Sequence, residues 1–434
     1  ELKISVKAGD IIFKKQYSQA DNNIEKLPIH LAIFPFLKAK ESNITHNIGL
    51  LDDRPEKSSK ISIGYIKNGG QEIFDSSIIR NPGSDGELVS KYFKTDSQPD
   101  SIYLQLNSKT SFLVPLMKEY SGKDEINFAI DFGTTNTHIE YQKGVDTSKA
   151  FDNTTNLPLW QSLLDLKSQK TNPIILENEI IFQQEILPRE ISKENQVSFP
   201  LRTAIVYNKD TDFNNKVEIV REVNNYLMLE TVPLTREDGY LKLETDIKWS
   251  NYSNTVEEKK VESYLEFLTT IVYYKTLQLG GSPENTSITW FYPVSMDEGE
   301  REVFFNLWKK NFRRVFKNTP ASRVNGIPES VAPYLYYKSA VAGLSLSIDI
   351  GGGSSDIAVF DEDDKNAKMI SSFKFAGNAI FGDGYTSKEL AGSSDKNGFV
   401  KNFKDIAYNV VGQKNKILNR ILNDTKKSAD FSSY

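Results

Sequence analysis

Two short glycine-rich segments carry residue types suited to phosphate chemistry: Asp131-Phe132-Gly133-Thr134-Thr135-Asn136-Thr137 and Asp349-Ile350-Gly351-Gly352-Gly353-Ser354-Ser355-Asp356. Glycines in a tight turn tolerate positive φ and lack a Cβ, so successive backbone N–H groups can converge on one anion. Thr134, Thr135, Asn136 and Ser354 add hydroxyl or amide contacts, and Asp131 and Asp349 stand at strand ends facing the same space. Carboxylates there suit Mg²⁺, which keeps several waters and takes one or two protein oxygens beside the phosphates. One such turn alone fits a structural hairpin equally well. Its repetition in matching contexts is what predicts a phosphate clamp.

The elements around the turns are legible in outline. Each turn follows an alternating apolar run, at 126–130 and 344–348, and a second strand follows where a P-loop or dinucleotide fingerprint has a helix. An amphipathic helix is predicted over 261–279, with Tyr264, Leu265, Leu268, Ile271, Val272 and Lys275 at helical spacing, ended by Gly280-Gly281. A helix over 297–316 opens on acidic residues, as the dipole favours. Strands are predicted over 198–207, 287–292 and 369–375, and a further helix over 328–342. Strands interspersed with helices predict an α/β sheet layered by helices.

Residues 1–120 differ in character. Short runs at 3–7, 29–37, 60–66, 101–106 and 111–116 are separated by Asp, Asn, Gly, Pro and Lys clusters, which predicts a β-rich, sandwich-like accessory domain. The acidic stretch 361–365 lacks the alternating ligands and distal Glu of a calcium loop and reads as a solvated hairpin turn. Residues 399–426 carry a mixed-charge helical pattern.

Composition narrows the function classes. A chain of 434 residues has room for two to three domains. It has no cysteine, which excludes disulfides and Cys-based zinc sites. Its only histidines are His30, His46 and His138, for which surface or capping roles are expected over a metal site. The net charge of −5 argues against a general nucleic-acid binder, since phosphate attraction needs a basic face. No apolar run approaches the roughly 20 residues of a membrane span. The start, Glu-Leu-Lys-Ile-Ser, has neither Met nor a secretory pattern, so a cytoplasmic chain excised from a longer one is expected.

The two glycine segments resemble the phosphate motifs of the actin-like ATPase superfamily, which includes DnaK-type chaperones, actins, exopolyphosphatases and sugar kinases; the match is nearest to DnaK-like domains. Asn325-Gly326-Ile327-Pro328-Glu329-Ser330-Val331-Ala332 is similar to the superfamily's connect segment, and the stretch 377–385 to its later glycine loop. The resemblance covers 124–434. It implies an RNase H-like first lobe over 124–342 and a partial second lobe over 343–434, with ATP or ADP and Mg²⁺ between them. Carried across, Asp131, Gly133, Thr134, Thr135 and Asn136 would hold the metal and terminal phosphates. Asp349, Gly351, Gly352, Gly353 and Ser354 would grip the phosphates from the opposite lobe, with Asp131 and Asp349 as the metal carboxylates. Glu329 would orient the attacking water, Lys248 resembles the lysine that reaches the γ-phosphate, and Asp356 would take a supporting role.

Two departures stand out. Pro333 follows the connect segment where chaperones have Ala, tolerable only in a first helical turn. The glycine pair that cradles adenosine is expected well beyond Ser354; Val410-Val411-Gly412-Gln413 has one glycine and comes too early, which implies an adenine pocket past residue 434. The resemblance implies an ATP-binding, slowly hydrolysing module coupled to a protein partner or further domain. Its alternatives are a phosphotransferase or exopolyphosphatase-like enzyme, and a nucleotide-gated scaffold or filament subunit.

Overall fold

The computed structural model describes residues 2–8, 11–17, 29–40, 44–52, 54, 60–81, 89–154, 156–162, 198–208, 211–213, 223–225, 241–317, 319–337, 343–361, 367–381 and 415. The predicted 399–426 helix (apart from Asn415), the turn at 362–365, the loop end 382–385 and the 410–413 stretch lie outside them.

The amino-terminal region is built from short strands. Leu2–Ala8 and Ile11–Tyr17 form a hairpin. One sheet runs Gln161–Ser162, Ile29–Phe34, His46–Asp52, Val89–Thr95, Ser76–Asn81; another runs Lys109–Leu113, Ser101–Leu106, Ile61–Lys67, Gly70–Glu72. They share a core of Leu31, Ile33, Ile48, Leu50 and Ile102, because alternate residues of a strand face one side. This region is not closed on itself. Lys118–Tyr120 pairs parallel with Leu37–Ala39, and Phe34, Leu37, Ala39 and Ile44 belong to the core of the following α/β region.

That α/β region centres on a mixed sheet. Its strands are β1 (Asp124–Phe132), β2 (Asn136–Lys143), β3 (Lys149–Ala150), β4 (Gly281–Tyr292) and β5 (Val324–Pro328), in the order β3-β2-β1-β4-β5. β2 runs antiparallel to both β1 and β3, whereas β4 and β5 run parallel to β1. Helix α1 (Thr255–Gln278) precedes β4, and α2 (Glu298–Phe316) connects β4 to β5. Ile126, Phe128, Ile130 and Phe132 of β1 are buried in the shared core with Trp290, Phe304 and Trp308. Each such large apolar side chain contributes about 1.5–3 kcal/mol by leaving water.

Several expectations need correction. The 261–279 helix begins earlier, where Asn254 caps the Val256 N–H, and it is not amphipathic: buried residues occur all round it, including Lys260, Glu262 and Lys275. It lies between the sheet, α2 and surrounding segments, and its buried charges are paired, Lys260 with Glu244 at 2.7 Å and Lys275 with Asp152 at 2.9 Å. The single strand predicted over 198–207 is two. Leu201–Arg202 adds to β2, while Ala204–Asn208 joins a separate sheet with Val223–Asn225 and Leu241–Thr245. Of the helix predicted over 328–342, the described part is a 3-10 turn, Glu329–Val331, followed by α3 (Ala332–Tyr337), which places Pro333 in a first turn; 338–342 lie outside the described residues. The 297–316 helix has its expected start: Asp297 and Glu300 form a reciprocal capping box.

The remaining strands, β6 (Leu344–Ile350), β7 (Ser355–Asp361) and β8 (Met369–Phe373), make a three-stranded antiparallel sheet in sequence order. A short helix, α4 (Gly377–Phe381), follows. Among the described residues no helix is long and apolar enough to cross a membrane.

Candidate functional site: a cleft between two glycine hairpins

The two glycine segments fold into the same local turn. Gly133 N–H donates to Asn136 O at 3.1 Å, and Gly351 N–H donates to Ser354 O at 3.0 Å. A Cβ on Gly133 would come within 2.5 Å of Asn136 O, so the first turn needs glycine for close backbone approach. Behind it, Thr203 N–H donates to Thr135 O at 2.8 Å, and the Thr203, Thr137 and Tyr264 hydroxyls form a buried chain onto α1.

The hairpins face each other directly. A Cβ on Gly352 would collide with the Thr135 hydroxyl, and one on Gly353 with Thr134 and Trp249. On the first side Trp249 Nε1 donates to Thr134 Oγ1 at 2.8 Å, and across the cleft Thr135 Oγ1 donates to Asn378 Oδ1 at 3.0 Å. Ser372 Oγ and Ser295 Oγ lie within hydrogen-bond distance at 2.8 Å, and Tyr334 of α3 stacks on Phe360 of β7, centroids 3.8 Å apart.

Lys248 and Glu329 meet between the hairpins as an ion pair. Lys248 is carried by the 3-10 turn Ile247–Trp249, entered through Asp246 at a left-handed φ of 56°, and Tyr252 Oη donates to its carbonyl at 2.8 Å. Glu329 opens the 3-10 turn at the end of β5. The carboxylates crowd around this pair. Asp131 opens onto the cavity yet is walled by protein, and burial pushes its pKa up to about 6; Lys248 opposes that rise, while Glu329 and Asp349 add to it. Asp349 is raised as well, by burial and then by Glu329. Asp356, paired in register with Asp349, is fully buried and raised to about 6 by burial and Glu329, against hydrogen bonds from Ser372 and Ser354.

A cavity of about 290 Å³ lies here. Every site residue named from the sequence lines it: Asp131, Gly133, Thr134, Thr135, Asn136, Lys248, Glu329, Asp349, Gly351, Gly352, Gly353 and Ser354. Phe291 and Ala332 complete the wall. Sequence reasoning did not find Trp249, Asp246 or Asn378 as cleft residues. Trp249 adjoins Lys248 in the chain, but nothing in the Asn378 neighbourhood signals a partner on the first hairpin.

Among the described residues no cluster of three or more His, Cys, Asp or Glu side chains is spaced to enclose a metal ion. Asp131 and Asp349 still fit an ion that takes only one or two carboxylates and otherwise binds water and phosphate. Burial, and after it the neighbouring carboxylates, raise both pKa values, and a cation beside them would favour the charged forms.

No protein-family model matches the chain, and no curated protein matches it. Solved structures do. A non-polymerising mutant of MamK bound to AMPPNP is 14% identical with a TM-score of 0.31, over 59% of this chain and 57% of that one. An Aquifex aeolicus member of the Ppx/GppA family is 11% identical with a TM-score of 0.24, over 67% and 62%. An Aquifex aeolicus PPX-GPPA enzyme is 10% identical with a TM-score of 0.23, over 67% and 64%. The match spans less than two thirds of each of these chains. Likeness at this level carries no argument about chemistry, which rests on the cleft itself.

Proposed function

We propose that this chain is an ATP-binding, slowly hydrolysing module of the actin-like superfamily, DnaK-like in its motifs. One observation carries the reading: two hairpins far apart in sequence present their glycines, hydroxyls and carboxylates to one cavity, with Lys248–Glu329 between them. The order β3-β2-β1-β4-β5, three antiparallel strands followed by two parallel ones, supports an RNase H-like first lobe. The sheet β6-β7-β8 repeats the first three strands of that order.

In this reading the hairpin N–H groups hold the terminal phosphates, and Asp131 and Asp349 hold Mg²⁺ beside them. The ion, when bound, neutralises phosphate charge. Lys248 occupies one Glu329 oxygen and leaves the other to accept a proton-bearing water and orient it. Positioning and electrostatics of this kind are most of what phosphoryl transfer asks of a protein. Lobe closure would couple nucleotide state to a protein partner or further domain, in a cytoplasmic setting, with no role for nucleic acid.

Calorimetric titration of the full chain with ATP and Mg²⁺ tests this. Binding by the wild type and its loss in Gly352→Asp are expected; unchanged affinity in the variant sinks the phosphate-site assignment.

A second reading, a phosphatase acting on polyphosphate-like anions, draws on the lining of the cavity. Of its residues only Phe291 and Ala332 are apolar, so the described wall suits phosphate better than a nucleobase. Faster phosphate release from tripolyphosphate than from ATP would favour it.

A further inference from the structure

Thr134 and Thr135 are neighbours on the first hairpin, but their hydroxyls are used in opposite ways. An indole N–H can only donate. Thr134 Oγ1 therefore accepts from Trp249 Nε1, and among the described residues no acceptor takes the Thr134 hydroxyl proton. The side chain is buried at the wall of the cavity, so that proton has the cavity to point into. Thr135 spends its proton on Asn378 Oδ1, and Asn378 Nδ2 donates onward to Asp246 Oδ1 at 3.1 Å. A hydroxyl has one proton, so Thr135 has none left for an anion.

Trp249 is itself held from the second lobe. Lys374 Nζ lies 4.6 Å from the centre of its ring and bonds Glu300 Oε2 at 3.4 Å, at the start of α2. Gly353 lies flat against the Trp249–Thr134 bond, where any Cβ would strike both partners. The tryptophan is thus seated between the hairpins, and its N–H direction is set by contacts on both sides.

We infer that Trp249 is a positioning residue that fixes Thr134 as the hydroxyl donating to a phosphate oxygen in the cavity, while Asn378 withdraws Thr135 into the joint between the lobes. This rests on reading the cavity as a phosphate site but requires no adenosine. Two adjacent threonines that look interchangeable in sequence become a ligand donor and a structural tie.

The test is calorimetric titration of the full chain with tripolyphosphate and with ATP, each with Mg²⁺. The proteins are the wild type, Trp249→Phe, Thr134→Val, their double variant, Thr134→Ser and Thr135→Val. Removing one hydrogen bond of this kind should weaken tripolyphosphate binding by about tenfold in Trp249→Phe and in Thr134→Val. The double variant should bind no more weakly than Thr134→Val, because Trp249 acts through that hydroxyl. Thr134→Ser keeps the hydroxyl and should restore binding, which a merely structural role would not predict. Thr135→Val should lose less than Thr134→Val. Additive losses, wild-type affinity in Trp249→Phe, or a larger loss in Thr135→Val would each overturn the inference. Tripolyphosphate binding without ATP binding removes the nucleotide reading while the same comparisons still decide the role of Trp249. Binding of neither overturns both.

Discussion

The two hairpins share a turn but not a setting. Asp131 and Asp349 occupy equivalent positions, and so do Ile126, Phe128, Ile130, Phe132 and Leu344, Leu346, Ile348, Ile350 before and after them. On β1 all four are buried, beneath α1 and α2 and between strands on both edges. On β6 the four are 71%, 61%, 56% and 67% exposed, and among the described residues the strand pairs on one edge only. The local geometry is nonetheless the same, down to the N–H···O bond that closes each turn. A hairpin of this kind therefore needs its own glycines and strand pairing, not a packed back. Packing decides instead how firmly it is placed. The first hairpin is anchored from behind by Thr203 and Tyr264, whereas the second takes its place from the first through Ser295, Glu300, Tyr334 and the Thr135–Asn378 bond.

The largest expected effect separates the two strand backs. Phe128→Ala should destabilise the chain by about 3–5 kcal/mol in urea unfolding, as expected for a large core cavity. Leu346→Ala, at the matching position, should stay within about 0.5 kcal/mol of wild type. A Leu346→Ala cost as large as that of Phe128→Ala would break the comparison.

A smaller effect concerns what joins the hairpins. Lys248 has a buried ammonium facing Glu329 and the aspartates of both turns. Lys248→Met should destabilise by about 3 kcal/mol at pH 7.5, the scale for removing one partner of a buried pair. The loss should shrink at pH 5, where Asp131 and Asp356, raised to about 6, take up protons. A pH-independent loss would show that Lys248 contributes packing and not charge.

The smallest effect belongs to Asp356. Its pKa is raised on folding, so its contribution to stability is fully present below the unfolded value and is lost as pH rises through about 6. Its Oδ1 lacks a hydrogen-bond partner among the described residues. Asp356→Asn should therefore raise the melting temperature at pH 7.5, by about 1–3 kcal/mol of stability, and leave it unchanged near pH 4. Unchanged melting at pH 7.5 would mean that a counter-ion already compensates the carboxylate.

Much of the cleft was legible because turn chemistry is short-range. Glycines followed by small polar residues between alternating strands specify the hairpins, and Asp297 with Glu300 specifies the start of α2. The α1 pattern misled because its buried Glu262, Ser263, Thr269 and Thr276 look like a solvent face until their partners are in place. The 198–207 segment misled because one apolar run serves two sheets, divided at Thr203.

By itself the sequence determined the two turns, the residues that could bind phosphate, and the alternation of strands with helices, all matters of steric and hydrogen-bond preference within a few residues. Tertiary structure alone decided that the turns face one another and that Lys248 reaches Glu329. It also decided that Trp249 bonds Thr134 while Asn378 bonds the adjacent Thr135. Those outcomes depend on contacts between residues as far apart as Thr135 and Asn378, whose meeting is set by how sheets and helices pack and by no property of either neighbourhood.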